Sequence, residues 1–221
     1  LLIPLLVIGC GSGKASIDTG AGLDDTGDSG HSGEPDGSSV APLATLSSAD
    51  CPDLTQTATS TFTSSGRDRT VTAVVPSEPT DDMPVVFFFH GLLDASMSSP
   101  SAMMASGLNL QSYADELGVV FVLPESDLMT VVTFSFYMWS VNEYEGEDIV
   151  LFDDLRTCVS DQLSVDLDRL SAMGFSGGGL FTTVVARERS DTLASVVELS
   201  GGSDVVIPTF SELFAEYGTP A

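Results

Sequence analysis

The sequence predicts an α/β fold of three layers, in which a mostly parallel sheet is covered by helices on both faces. Val85–Phe89 is an unbroken apolar run, which is typical of a strand buried on both sides. Similar short apolar runs alternate along the chain with stretches of helical periodicity, as a parallel sheet with crossover helices requires. The pentapeptide Gly-Phe-Ser-Gly-Gly at 174–178 lies between a run of the first kind and one of the second.

The predicted elements begin near Ala49. β-Branched residues bounded by turn signals predict two early antiparallel strands, and later apolar runs predict four more. The six strands are expected at 59–63, 70–75, 85–89, 119–123, 170–174 and 195–199. A serine-rich loop is expected after His90-Gly91. Apolar residues at helical spacing predict helices at 110–117, with Gly118 as its C-cap, at 149–163 and at 180–189.

The charge of the chain restricts its partners. Seven lysines and arginines face 32 aspartates and glutamates, which gives a formal net charge of −25. Such a surface repels phosphate backbones, so we expect no nucleic-acid partner. No arrangement of residues fits a metal cluster, a nucleotide loop or a cofactor motif, and we expect neither a metal nor a cofactor.

The first residues resemble an export signal. Residues 1–8 are apolar, like the core of a signal peptide, and Val7-Ile8-Gly9-Cys10 resembles a bacterial lipobox. This resemblance implies that residues 1–9 are a partial signal peptide and that Cys10 is lipidated and anchors the protein in a membrane. Gly11 after the cysteine indicates an exported lipoprotein of the outer membrane or cell surface. The alternatives are an ordinary signal peptide of a secreted protein, with an incidental cysteine, or a buried strand.

A low-complexity segment follows Cys10. Residues 10–48 are rich in Gly, Ser, Asp and Thr, and they predict a disordered acidic tether ahead of a domain at 49–221. Asp-Thr-Gly occurs at 18–20 and again at 25–27. Aspartic-protease chemistry needs two aspartates held on separate folded lobes, so a protease is not expected here. Cys51 and Cys158 can close a disulfide in an oxidising compartment, although the sequence leaves their pairing open.

Ser176 is the leading candidate for a nucleophile. In a Gly-x-Ser-x-Gly turn between strand and helix, the serine hydroxyl is lifted clear of the sheet. Gly174 and Gly178 are needed because a Cβ at either position would clash with the neighbouring backbone. The turn also directs the backbone N–H of Gly177 to the place where an oxyanion forms.

These segments together resemble the α/β-hydrolase superfamily. Within it, the chain is most similar to secreted polyhydroxybutyrate-depolymerase-like and feruloyl-esterase-like carboxylesterases over roughly residues 60–205. The segments that carry the resemblance, besides the serine motif, are Arg67-Asp68-Arg69-Thr70-Val71, Phe89-His90-Gly91, Glu147-Asp148-Ile149 and Val165-Asp166-Leu167-Asp168-Arg169-Leu170. The resemblance implies an α/β-hydrolase fold without its last strands.

The resemblance also implies a mechanism. Ser176 attacks a polyhydroxyalkanoate, feruloyl or acetyl ester, and a backbone N–H of Leu92 or Leu93 completes the oxyanion hole with Gly177. His90 and Gly91 belong to the motif of that loop, and His90 is interpreted as structural because it precedes the nucleophile. For one aromatic residue, Trp139, a substrate pocket, core packing and a surface lid stay open. Three acidic residues are expected to be solvated or to cap a helix: Asp148, Asp153 and Asp154.

No histidine follows Ser176, because the only two are His31 and His90. Asp204, just after a predicted strand, lies one strand early for a triad acid. We therefore expect a fragment, inactive by itself, of a longer serine esterase whose aspartate and histidine lie beyond Ala221. The alternatives are an inactive hydrolase-fold lipoprotein that serves as a binding module and a peptidase of the same fold.

Overall fold

The computed structural model describes residues 41–48, 50–131, 133–141 and 146–201. The expectations on the signal peptide, Cys10, most of the tether and Asp204 lie outside these ranges. Nine strands are described: β1 Ala58–Ser64, β2 Arg67–Val74, β3 Met83–Phe89, β4 Leu93–Asp94, β5 Val120–Pro124, β6 Leu128–Val131, β7 Phe134–Tyr137, β8 Val165–Phe175 and β9 Ser195–Leu199. The helices are α1 Pro100–Gly107, α2 Leu110–Leu117, α3 Glu147–Gln162 and α4 Gly177–Glu188, and a short 3₁₀ turn covers Ser190–Thr192.

Six strands form the main sheet in the order β1-β2-β5-β3-β8-β9. The pairs β1–β2 and β2–β5 are antiparallel, whereas β5–β3, β3–β8 and β8–β9 are parallel. This confirms the mixed, mostly parallel sheet and each of the six predicted strands. Since β3 and β8 are neighbours, the His90 loop and the serine turn lie side by side at the carboxyl edge of the sheet.

Helices cover both faces of this sheet. On one face, Phe152 of α3 and Phe181 of α4 pack with Phe87 and Phe89 of β3 in the larger core. On the other face, Leu110 and Ala114 of α2 pack in a smaller apolar cluster. The three predicted layers are confirmed, and burial of these apolar faces is the main stabilising contribution. No helix among the described residues has the length and apolarity to cross a bilayer.

The serine-rich loop expected after Gly91 contains an unpredicted helix, α1. Ser99 is its N-cap and accepts a hydrogen bond from the N–H of Ala102, and Pro100 is at its first position. Both residue types favour a helix start, so the Ser-Pro pair was the signal in the sequence. The prediction failed here because the helix has almost no amphipathic pattern to mark it.

The segment before β1 is tied to α3. Arg156 donates to the carbonyl oxygens of Ala41 and Pro42, and Thr157 donates to that of Ala44. A disulfide joins Cys51 to Cys158, with 5.5 Å between their Cα atoms. Residues 41–44, which were expected to belong to the tether, thus contact α3, and composition alone does not reveal the polar partners that α3 supplies.

A second, three-stranded sheet in the order β4-β7-β6 follows the same edge. Its strand β4 begins directly after Leu92, and the β6–β7 hairpin follows β5. These short strands were not predicted from the sequence. They matter for the site because β4 fixes the chain that leaves the His90-Gly91 loop.

Candidate active site

Ser176 occupies a strained turn between β8 and α4. Its backbone has φ 54° and ψ −119°, a conformation that residues with a side chain rarely adopt. Two backbone hydrogen bonds keep Ser176 in this conformation. Its N–H donates to the carbonyl oxygen of Leu199 at 2.8 Å, and its carbonyl accepts from the N–H of Leu180 at 3.1 Å. Such a turn directs the side chain away from the sheet, at the N-terminus of a helix.

Two glycines make this turn possible. A Cβ on Gly174 would lie 2.1 Å from the carbonyl oxygen of Gly178, and a Cβ on Gly178 would lie 2.1 Å from that of Phe89. Both distances are impossible for real atoms, so the backbone of α4 approaches β8 and β3 only because side chains are missing at these two positions. The close packing of backbones in this fold therefore explains why the motif has glycine at both positions.

The N-terminus of α4 lies against the loop that follows β3. A Cβ built on Gly177 would be 3.1 Å from the backbone nitrogen of Leu92. The first N–H groups of a helix have no partner within the helix, and the helix dipole makes this end attractive to an anion. Gly177 and the backbone nitrogen of Leu92 are thus neighbours at a point where negative charge can be stabilised.

The sequence left Leu92 and Leu93 as alternative donors. Leu93 is paired with Tyr137 in the small antiparallel sheet, and the Ala95 N–H donates to the Ser135 carbonyl at 3.0 Å in the same ladder. Bonded pairs recur at every second residue of such a ladder, so the Leu93 N–H is directed to Tyr137. This geometry favours Leu92 as the donor beside Gly177.

His90 is buried, and both of its ring nitrogens are engaged. Nε2 accepts a hydrogen bond from the Ser126 N–H at 3.0 Å, which leaves Nδ1 to donate to the Gly91 carbonyl at 2.7 Å. Burial lowers the pKa of His90 below its ordinary value of 6.5, and it outweighs the opposing effects of the Gly91 bond and of the Glu125 and Asp148 charges. The ring is neutral and has no nitrogen left to accept a proton from Ser176.

Trp139 lies in the core beneath this loop. Its indole Nε1–H donates to the carbonyl oxygen of His90 at 2.7 Å. The ring stacks on Phe181 of α4, with 4.7 Å between ring centroids and 9° between ring planes. It meets Phe89 edge-on, with centroids 5.3 Å apart. Trp139 was expected in a substrate pocket, in the core or in a surface lid, and in the structure it packs in the core.

This architecture is similar to that of several solved structures. No family model matches the sequence, and no curated protein matches it either. Among solved structures, native sOPH superposes with a TM-score of 0.56 at 18% identity, over 76% of this chain and 61% of that one. An acetyl xylan esterase from Aspergillus awamori gives a TM-score of 0.51 at 17% identity, over 61% and 47%. A thermostable esterase gives 0.50 at 19% identity, over 66% and 41%.

The chain has the α/β-hydrolase fold. At these identities the likeness establishes the fold alone, and the chain spans between 41% and 61% of the length of these three structures. In this α/β-hydrolase fold, the serine turn after β8 and the loop after β3 are adjacent, as the site described above requires.

Three acidic residues expected to be solvated or to cap a helix are paired instead. Asp148, in the first turn of α3, is buried against Arg69, and α3 has no side-chain cap. Asp154 is also buried and accepts from the Ser64 hydroxyl at 2.6 Å. Asp153 binds Arg189 at 2.7 Å. The expectation was wrong because periodicity alone does not show that Ser64 of β1, Arg69 of β2 and Arg189 after α4 face this helix.

Glu198 is a charged neighbour of the turn that sequence reasoning missed. It is paired in register with Gly174 of β8, and its Oε1 accepts from the Gly201 N–H. A Cβ on Gly179 would lie 3.0 Å from the same oxygen. The signal was its position at the carboxyl end of β9. Within the ranges that the structure covers, no group of three His, Cys, Asp or Glu side chains could hold a metal ion.

Proposed function

We propose that the protein is a serine hydrolase that cleaves carboxylic esters through an acyl-enzyme on Ser176. The observation that carries this proposal is the strained Ser176 backbone at the start of α4, with Gly177 packed against the backbone nitrogen of Leu92. Two of the similar solved structures are described as esterases, which supports the same reaction class.

In the proposed reaction, Ser176 Oγ bonds to the ester carbonyl carbon while a base takes its proton. The carbonyl electron pair moves to oxygen, and the N–H groups of Gly177 and Leu92 stabilise the oxyanion by roughly 3 kcal/mol each. When the tetrahedral intermediate collapses, the bond to the alcohol breaks, and the alcohol leaves with the proton. Water then attacks the acyl-serine by the same route and releases the acid.

The base has to come from elsewhere than His90. That ring is buried and uses both nitrogens within the loop, and His31 lies outside the described residues. We therefore propose that a longer protein supplies the histidine and the acid of the triad. The 221-residue chain by itself is then expected to be inactive, because a serine without a base is a weak nucleophile.

The residues around Ser176 favour an uncharged substrate. Phe175, Leu92 and Leu199 have 53%, 40% and 42% of their surface exposed and present apolar groups beside the nucleophile. Each described arginine donates a hydrogen bond to a carboxylate or a carbonyl within the protein. With a net charge of −25, the protein repels anionic esters. Polyhydroxyalkanoate, feruloyl and acetyl esters are all uncharged at the reacting group and fit this surface.

Labelling with a fluorophosphonate tests the proposal. In the full-length protein we expect a covalent adduct on Ser176, located by peptide mass spectrometry, and none in Ser176→Ala. Hydrolysis of p-nitrophenyl acetate that is lost in the same variant is the second readout. Full-length protein that folds but takes no label at Ser176 would contradict the assignment.

A second candidate is a binding module without catalysis. The observation that favours it is the engagement of His90, the one histidine among the described residues. In that case the apolar surface around Ser176 would bind an ester without cleaving it. Retention of an uncharged ester by unlabelled full-length protein, with no release of alcohol, would support this candidate over the first.

We also propose that the protein is exported and anchored through a lipid on Cys10. The disulfide between Cys51 and Cys158 supports an oxidising compartment, where such bonds persist. Metabolic labelling with a palmitate analogue tests the anchor: we expect label in the membrane fraction and its loss in Cys10→Ser. Label-free protein in the medium would favour secretion instead.

A further inference from the structure

Trp139 contacts both elements that supply the proposed oxyanion donors. Its Nε1–H is bonded to the carbonyl of His90, two residues before Leu92. Its ring is stacked on Phe181, which follows Gly177 by four residues and so lies on the same face of α4. One rigid side chain therefore touches the loop that carries one donor and the helix that begins with the other.

The His90 carbonyl is held between these elements. A Cβ on Gly178 would lie 2.5 Å from this oxygen, so the start of α4 closely approaches the same atom that the Trp139 N–H binds. The His90 ring holds the next peptide through the Gly91 carbonyl. Trp139 belongs to neither the loop after β3 nor α4, whereas the His90 ring and Gly178 each belong to one of them. Trp139 can therefore set the distance between the loop and the helix.

We propose that Trp139 is a positioning residue that fixes the spacing of the Gly177 and Leu92 N–H groups; this inference rests on the proposed function. The indole is 2% exposed, so it does not touch the substrate. Negative charge on the oxygen develops only as the tetrahedral intermediate forms, so misplaced donors slow the chemical step more than they weaken substrate binding. A displacement of about 1 Å in such a site can cost roughly a hundredfold in rate.

Trp139→Phe in the full-length protein tests this inference. The variant removes the donor and keeps a ring that can stack on Phe181. We expect kcat on p-nitrophenyl acetate to fall about 10- to 100-fold with KM changed less than about twofold. Phe152→Leu is the matched control, because Phe152 is a fully buried aromatic that packs on Phe87 at 4.7 Å, away from the loop. It should lower the melting temperature and leave kcat unchanged below it.

A spectroscopic readout covers the case in which Trp139→Phe does not fold. Trp139 is the single tryptophan of the chain, so its emission reports on this position once any further tryptophan of a longer protein is replaced by phenylalanine. A phosphonate adduct on Ser176 places an oxygen at the two donors, and we expect the Trp139 emission to change when it forms, with no change in Ser176→Ala.

The possible results distinguish the role of Trp139 from the proposed hydrolase function. Normal kcat in folded Trp139→Phe, or unchanged emission in a labelled protein, overturns the role of Trp139 and leaves the hydrolase intact. Equal losses of kcat in Trp139→Phe and Phe152→Leu also overturn it, because they reduce the effect to general destabilisation. Absence of label on Ser176 overturns the proposed function and the role of Trp139 with it.

Discussion

Arg69 and Asp148 form an ion pair in which the two side chains are only 2% and 3% exposed. The second oxygen of Asp148 accepts from the Ser140 N–H at 2.7 Å, one residue after Trp139. Arg69 also donates to the carbonyl of Glu125 at 3.0 Å, next to the residue that binds His90. The pair thus holds both chain segments that support the loop after β3.

Asp148→Asn is expected to destabilise the protein by about 3 kcal/mol, because it removes the buried counter-ion of Arg69 and leaves Asp127, which is more exposed and lies 3.6 Å away, as the carboxylate partner. Urea unfolding followed by circular dichroism measures this change in the free energy of unfolding. Asp166→Asn is the matched control: Asp166 pairs with Arg169 on the surface at 2.7 Å, and its loss should not change stability measurably. Equal midpoints for the two variants would contradict the importance of the buried pair.

This ion pair also shows what could be predicted from the sequence. The segments around Arg69 and Asp148 were both singled out as resembling esterases, yet nothing in a single sequence indicated that they bind each other. The six strands of the main sheet and the serine turn were predictable because apolar runs and glycines act locally. The position of Trp139, the choice of Leu92 over Leu93 and the contacts of Asp154 depend on residues distant in the chain, so local pattern could not reveal them.

The strained turn at Ser176 gives a prediction in which stability and activity move in opposite directions. At φ 54° and ψ −119° a side chain is unfavourable, and glycine is not. Ser176→Gly should therefore raise the free energy of unfolding by about 1 kcal/mol while fluorophosphonate labelling is lost. Ser176→Ala keeps the Cβ and the strain, so it should lose the label without this gain. Equal stabilities for the two variants would argue against strain at this residue.

The disulfide should contribute strongly to stability. It closes a loop with a sequence separation of 107 residues, for which chain entropy predicts about 5 kcal/mol. The double variant Cys51→Ser, Cys158→Ser should lower the free energy of unfolding by this order, measured by urea unfolding without reductant. Dithiothreitol should destabilise the parent protein and leave the double variant unaffected. The same sensitivity to reductant in both would show that the bond does not form.

The buried His90 predicts a loss of stability in mild acid. Since burial lowers its pKa below 6.5 in the folded state, the unfolded chain binds the proton at a higher pH than the folded protein does. The free energy of unfolding should therefore fall as the pH drops below about 6.5. Asp53, Asp94 and Asp115 have pKa values lowered below 3.8 by hydrogen bonds, so their stabilising effect is lost only in stronger acid.

Urea unfolding at pH 7 and pH 5 in the parent protein and in His90→Gln checks this. Glutamine can donate and accept but does not titrate, so the variant, although less stable at pH 7, should lose less free energy of unfolding between the two pH values. His31 is present in both proteins and cancels in the comparison. An equal loss in both would mean that the pH dependence arises elsewhere, and that protonation of His90 does not compete with the bond from the Ser126 N–H that holds the loop.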